Sequence, residues 1–241
     1  MSANINKDLS CFPLFLEKLQ LHFPDALPLE EYMQQTSQKL KSYGFEDYNT
    51  LGVVATCRDE IAGPLVYQIT KYWGKTFDLR SLGGFLIAGK TGISTILGHT
   101  PMEEGIGRFV FYAMPHIAIS EEGEIGNVYR EGIQKVSHAC GSLGEVVHEL
   151  ASGHINFQTD YEDLEQSIVR QKILSNIRYG QELNQLDITK LASTIIADDL
   201  KGLLTAVDSS VYKYTFLTGI LIHGPKDTHW IYPQDCHVNG I

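Results

Sequence analysis

Apolar residues recur along this chain at two spacings, one helical and one strand-like, and the two alternate. Between residues 12 and 44 they fall at helical intervals (Phe15, Leu16, Leu19, then Leu29, Tyr32, Met33), with a break at Phe23-Pro24-Asp25. That pattern predicts two short helices joined by a turn. Residues 51–56 form a short β-favouring apolar run, and residues 61–73 are amphipathic with Pro64 in the first helical turn, where its missing N–H is tolerated. Cys57 is thereby placed at a sharp strand-to-helix turn. A Gly-rich apolar run over residues 82–88 reads as a second strand, and residues 108–114 as a buried strand that ends at Pro115-His116. Residues 141–150 continue as a helix directly after Cys140. The stretch 161–207 is helical in period, in two segments meeting near Asn184 to Asp187, and reads as cover for a sheet. Residues 212–223 and 230–232 predict closing strands around the turn Gly224-Pro225-Lys226-Asp227.

Short apolar strands alternating with helices predict an α/β fold with a mostly parallel central β-sheet flanked by helices. With 241 residues, one domain is the expectation, comprising an N-terminal helical arm over residues 1–50 and a catalytic core over residues 51–241. In sheets of this kind functional groups collect at the carboxyl ends of the strands. Cys57 and His116 are both assigned there.

Composition narrows the function classes. A hydrophobic share of 43% and a charged share of 20% belong to an ordinary globular chain. The net charge of -10 argues against nucleic acid as a partner, because phosphate-backbone affinity needs clustered Lys and Arg. The first twenty residues lack a basic segment followed by a long apolar one, and no later stretch approaches a membrane span, so no membrane partner and a cytoplasmic location are expected. Four scattered cysteines, Cys11, Cys57, Cys140 and Cys236, do not make a disulfide framework. In a reducing compartment each is a buried small hydrophobe, a reactive thiol or a metal ligand.

Three segments carry candidate chemistry. Cys57-Arg58-Asp59-Glu60 crowds a thiol, a guanidinium and two carboxylates at a strand end, where a helix N-terminus and Arg58 favour the thiolate, the form that binds metal. A buried Cys beside a surface ion pair is the plainer alternative. Cys140 also precedes a helix. His116 is carried to the same sheet edge as Cys57, although a lone His at a strand end is more often a hydrogen-bonded structural residue. Together, two thiolates and one imidazole suit a catalytic zinc, because they leave the fourth tetrahedral position open for water. Structural zinc sites usually show close Cys-x-x-Cys pairs, and none occurs here.

The segments Cys57-Arg58-Asp59-Glu60, Gly89-Lys90-Thr91-Gly92, Pro115-His116-Ile117 and Ala139-Cys140-Gly141, in this order and spacing, resemble the limiting-CO2-inducible protein B/C family, a theta-class group similar to β-carbonic anhydrases. The resemblance runs from about residue 51 to the final strands. It implies a β-carbonic-anhydrase-like fold, a homodimer, and reversible hydration of CO2 to bicarbonate by zinc-bound hydroxide. It assigns Zn2+ to Cys57, His116 and Cys140, and a catalytic dyad to Asp59 and Arg58, in which Arg58 holds Asp59 away from the open metal position. Thiolate ligands leave the bound water less acidic than an all-histidine site does, which favours activity at higher pH. The chain departs from the usual β-class pattern, because Arg58 lies between Cys57 and Asp59, and His138 is two residues before Cys140. His116 is preferred to His138 as the ligand, and His138 and His99 are left as proton-relay or structural residues. A silent zinc-binding member acting as bicarbonate sensor or scaffold is the alternative.

Other matches are weaker. Gly84 to Thr91 satisfies G-x4-G-K-[ST], the phosphate-loop pattern, but the apolar, strand-like residues lie inside the motif and no convincing magnesium-binding Asp follows. His148-Glu149-Leu150-Ala151-Ser152-Gly153-His154 fails as H-E-x-x-H, because Ser152 stands where the second His belongs. Cys236 and His237 have no complement nearby, Cys11 is given no role, and no G-x-S-x-G signature occurs.

Overall fold

The computed structural model describes residues 9–239 except Glu131 and Gln134, so the first eight residues of the expected arm and the last two of the core lie outside the described residues. Helices α1 (Pro13–His22) and α2 (Leu29–Lys41) flank the two-residue strand β1 (Leu27–Pro28), as the broken helical pattern predicts. Strand β2 (Thr50–Thr56) passes through the short 3-10 turn Glu60–Ala62 into α3 (Gly63–Trp73). Then follow β3 (Thr76–Asp78), α4 (Gly89–His99), β4 (Met102–Glu103), β5 (Ile106–Met114) and β6 (His116–Ala118). A small ribbon of β7 (Asn127–Val128) and β8 (Ser137–His138) leads to α5 (Gly141–Ser152), α6 (Leu164–Leu174) and α7 (Gln185–Leu204). The long strands β9 (Tyr212–Gly224) and β10 (Thr228–Asn239) close the sheet.

The sheet runs β1-β10-β9-β5-β2-β3, with β4 added on β5 and β6 on β9. β3, β2, β5, β6 and β9 are parallel, whereas β10, β1 and β4 run antiparallel to their neighbours. Every residue of β2 is buried because both sheet faces are covered. Alternation sorts the side chains: Leu51, Val53, Phe109 and Phe111 join the core under α4 to α7, while Val54, Val110 and Tyr112 join the core under α2 and α3. Phe15 and Leu19 of α1, with Phe23 just after it, pack on Ile117, Ile119, Ile220 and Ile222. The apolar stripes of the expected arm are thus buried against this chain's own sheet.

The run over residues 82–88 is not a strand. Gly83 and Gly84 take positive φ (64° and 79°), which breaks extended backbone and makes a 3-10 turn over Leu82–Gly84. A Cβ on Gly84 would lie 3.0 Å from the Met114 carbonyl oxygen and 3.4 Å from the Cys57 nitrogen, so glycine lets this turn press against the ends of β2 and β5. The neighbouring strand is instead the short edge strand β3, whose half-exposed residues give little apolar signal. The phosphate-loop match dissolves here, because Gly83, Gly84, Phe85 and Leu86 are packed in the interior. β10 extends well past Tyr232. Its distal half is an exposed edge with a bulge between Pro233 and Cys236, so it carries no apolar alternation to read.

The indole Nε1 of Trp73, on α3, donates to the Tyr112 hydroxyl on β5 at 2.8 Å, and both side chains are fully buried. Tyr112→Phe leaves that N–H with no acceptor in a dry core and is expected to cost about 1–3 kcal/mol. Chemical denaturation checks this, and an unchanged midpoint would show that the bond adds nothing.

Candidate metal centre

β2 and β5 run in register from Thr50↔Arg108 to Thr56↔Met114, so the residues after them, Cys57 and Pro115-His116, emerge at one sheet edge. Cys57 is held there by a bridge to Ser81, and His116 begins β6, paired in register with Leu221 of β9. Cys140 comes from outside the sheet, as the residue that caps the N-terminus of α5. The three converge: one ligand atom from each of Cys57, His116 and Cys140 lies within 4.8 Å of the others, and all three residues are buried. The two Sγ atoms are 3.6 Å apart. His138 and His99 are exposed and do not join the cluster; the Nδ1 of His99 contacts the Thr95 carbonyl oxygen at 2.8 Å. His148, His154, Cys11, Cys236 and His237 are likewise exposed.

In the metal-free cluster the two thiols share their protons unequally. The hydrogen bond from Cys140 is the main stabiliser of a Cys57 thiolate. Burial opposes it and His116 assists, so that the Cys57 pKa falls to about 4. Cys140 moves the other way, because it donates to Cys57, is buried, and faces that negative charge. His116 Nδ1 lies 3.0 Å from His223 Nε2, while His116 Nε2 is buried and has no hydrogen-bond partner. An orphaned imidazole nitrogen beside two thiols is a nitrogen-sulfur donor set of the kind that suits zinc.

Asp59 caps the 3-10 turn after β2, accepting from the Ile61 amide at 3.4 Å, and its Oδ2 is 3.9 Å from His116 Nε2. Burial works against its ionisation, but the Glu60 hydrogen bond, His116 and Arg130 outweigh that and hold its pKa below the ordinary value. The guanidinium against Asp59 is that of Arg130 and not, as expected, that of Arg58. Arg130 Nη2 donates to both Asp59 carboxylate oxygens at 2.8 Å, and its Nε lies 2.6 Å from Glu60. Arg58, exposed, turns to the other side, where it pairs with Glu165 of α6 at 2.7 Å and donates from Nε to the Arg80 carbonyl at 2.9 Å. The reason is local backbone geometry: Cys57 and Asp59 both face the interior, so the residue between them faces out. Arg130 sits just after β7 in a stretch with no periodicity, and no spacing in the sequence ties it to Asp59. A cavity of about 570 Å³ lies beside the site, lined by Arg130 and His223 together with Glu60, Ile119, Asn127 and His229, and none of the three cluster residues lines it.

A family model described as limiting CO2-inducible proteins B/C beta carbonic anhydrases matches residues 26–240. The chain belongs to this family. The crystal structure of limiting CO2-inducible protein LCIB is 30% identical, covers 93% of this chain and 95% of its own, and superimposes with a TM-score of 0.76. PtLCIB4, a homolog of LCIB, is 24% identical over 94% of this chain and 100% of its own, with a TM-score of 0.81. Its H88A mutant is 24% identical, covers 93% of this chain and 94% of its own, and gives 0.82. No curated protein sequence matches the chain. This member of the family therefore combines the carbonic-anhydrase-like α/β fold with a buried Cys-His-Cys cluster able to hold a metal. Among the described residues no helix is long and apolar enough to cross a membrane.

The charge state of the thiols makes a prediction. Near pH 7 Cys57 is already ionised and Cys140 is not, whereas metal binding requires both as thiolates. Titrating Zn2+ into the metal-free chain at that pH is expected to release about one proton per ion. Calorimetry in buffers of different ionisation enthalpy measures this, and a release of two would mean that neither thiol is ionised before the metal binds.

Proposed function

We propose that this chain is a zinc-dependent carbonic anhydrase that interconverts CO2 and bicarbonate. The observation that carries the reading is the buried convergence of Cys57, His116 and Cys140, with one imidazole nitrogen left unpartnered, in a member of a carbonic-anhydrase family. Those three side chains would hold the ion through two sulfurs and one nitrogen, a donor set of three that suits a catalytic zinc. Zinc, when bound, supplies the Lewis acidity that makes water a nucleophile near neutral pH.

The remaining work falls to this chain's own groups. Asp59 is kept ionised, so its carboxylate accepts a hydrogen bond from the attacking water and sets the direction of the lone pair that meets CO2. A carboxylate so close to the cluster is also a competing ligand. Arg130 occupies both of its oxygens at 2.8 Å and so holds Asp59 to its orienting role. This is the task that the resemblance assigns to Arg58. Arg58 instead ties the end of β2 to α6 through Glu165, which secures the backbone on either side of Cys57. The cavity lined by Arg130, Glu60 and His223 borders the partners of Asp59 and His116, and is the side from which CO2 would approach.

Elemental analysis of the purified protein is expected to give about one zinc per chain, with none in Cys57→Ala, His116→Ala or Cys140→Ala; a zinc-free wild type prepared without chelators would sink the metal assignment. In stopped-flow CO2 hydration, Asp59→Asn is expected to lose about 10²–10⁴-fold in kcat. Arg130→Ala is expected to lose roughly 10²-fold by misplacing Asp59. Arg58→Ala should cost less than either, and a larger loss in Arg58→Ala than in Arg130→Ala would return the dyad to Arg58. A zinc-loaded wild type without turnover would favour the silent sensor or scaffold.

A further inference from the structure

Behind His116 stand two more imidazoles, and the hairpin of β9 and β10 places them. His223 and His229 are direct cross-strand partners on either side of the turn Pro225–Asp227, while the parallel pairing of β6 with β9 sets Ala118 opposite His223. The three rings form a continuous file. His116 Nδ1 is 3.0 Å from His223 Nε2, and His223 Nδ1 is 3.0 Å from His229 Nδ1, with successive rings turned nearly perpendicular, at 81° and 85°. The file runs outward from the dry interior. His116 and His223 are buried, the His229 side chain is 10% exposed, and its Nε2 lies 3.4 Å from an oxygen of Asp227, which is 86% exposed.

A neutral imidazole has one N–H and one acceptor nitrogen, so each bond in such a file dictates the next. If the metal takes His116 Nε2, the nitrogen that has no hydrogen-bond partner, Nδ1 must carry the proton and donate to His223 Nε2. His223 must then donate from Nδ1 to His229 Nδ1, which leaves the His229 proton on Nε2. Only one arrangement of neutral rings makes both ring-to-ring hydrogen bonds while leaving His116 Nε2 to the metal. Without the two outer rings, the buried Nδ1–H of His116 would have no acceptor, and its ring would be free to take the other tautomer or turn away.

We propose that His223 and His229 are positioning residues of the metal centre: the imidazole file locks His116 with Nδ1 protonated and Nε2 presented to the ion. The inference rests on the metal-site reading above. It assigns a function to a pair of strand residues whose spacing otherwise reads only as a hairpin.

The test uses the full chain and Zn2+ alone, with affinity measured by competition against a chromophoric chelator, so that no turnover is required. His223→Leu is expected to weaken zinc binding by about 10–100-fold. His223→Gln, whose amide can both accept from His116 and donate to His229, should recover much of that loss, and His229→Leu should lose less than His223→Leu. If packing alone mattered, Leu and Gln would behave alike, and equal affinity in both variants would overturn the proposal. Nitrogen-15 histidine spectra of zinc-loaded wild type supply a readout that requires no buried substitution. They should show His116 and His223 protonated on Nδ1 and His229 on Nε2, and His116 protonated on Nε2 would overturn the proposal without any variant. A wild type that binds no zinc would instead overturn the metal-site reading itself.

Discussion

The parallel pairing of β2 with β5, in register through Thr56 and Met114, is the contact on which the chemistry of this chain depends. It brings Cys57 and His116 out at one edge although they are far apart in sequence, and it does so on strands that are buried on both faces and cannot slip by one residue. A one-residue slip would send Val53 and Phe111 to the face now occupied by Val54 and Tyr112 and would expose the wrong core on both sides. The same register fixes where Gly84 must press and hence where the Cys57 backbone lies. Rigidity of the site is therefore a by-product of hydrophobic sorting.

On that scaffold the site sets several charges against one another at short range. Two sulfurs that share protons lie beside an ionised Asp59 and an imidazole with one nitrogen unpartnered. Left to themselves the negative groups would repel, and burial would return them to neutral forms. Arg130 offsets one of them with two short bonds, and His223 and His229 anchor the imidazole from behind. The ion pair of Arg170 with Glu149, also largely buried, fastens α6 to α5 and so holds the helix that Cys140 caps.

The hydrophobic pattern alone specified the α/β alternation, both helices of the N-terminal stretch, β2, β5 and α3, α5 and α7, because long buried strands and amphipathic helices differ in period. It mistook residues 82–88 for a strand, since an apolar, Gly-rich run gives one composition for two backbones and only the positive φ of Gly83 and Gly84 separates them. Residue chemistry and order also marked Cys57, His116 and Cys140, three residues that lie at element ends where a turn must place them. What tertiary structure decided was partnership. That Asp59 meets Arg130 and not the adjacent Arg58, and that His223 and His229 stand behind His116, follows from chain segments brought together across the sheet edge. Side-chain direction at a turn and contacts between distant segments have no periodic trace in a single sequence, because they are set by packing and not by local preference.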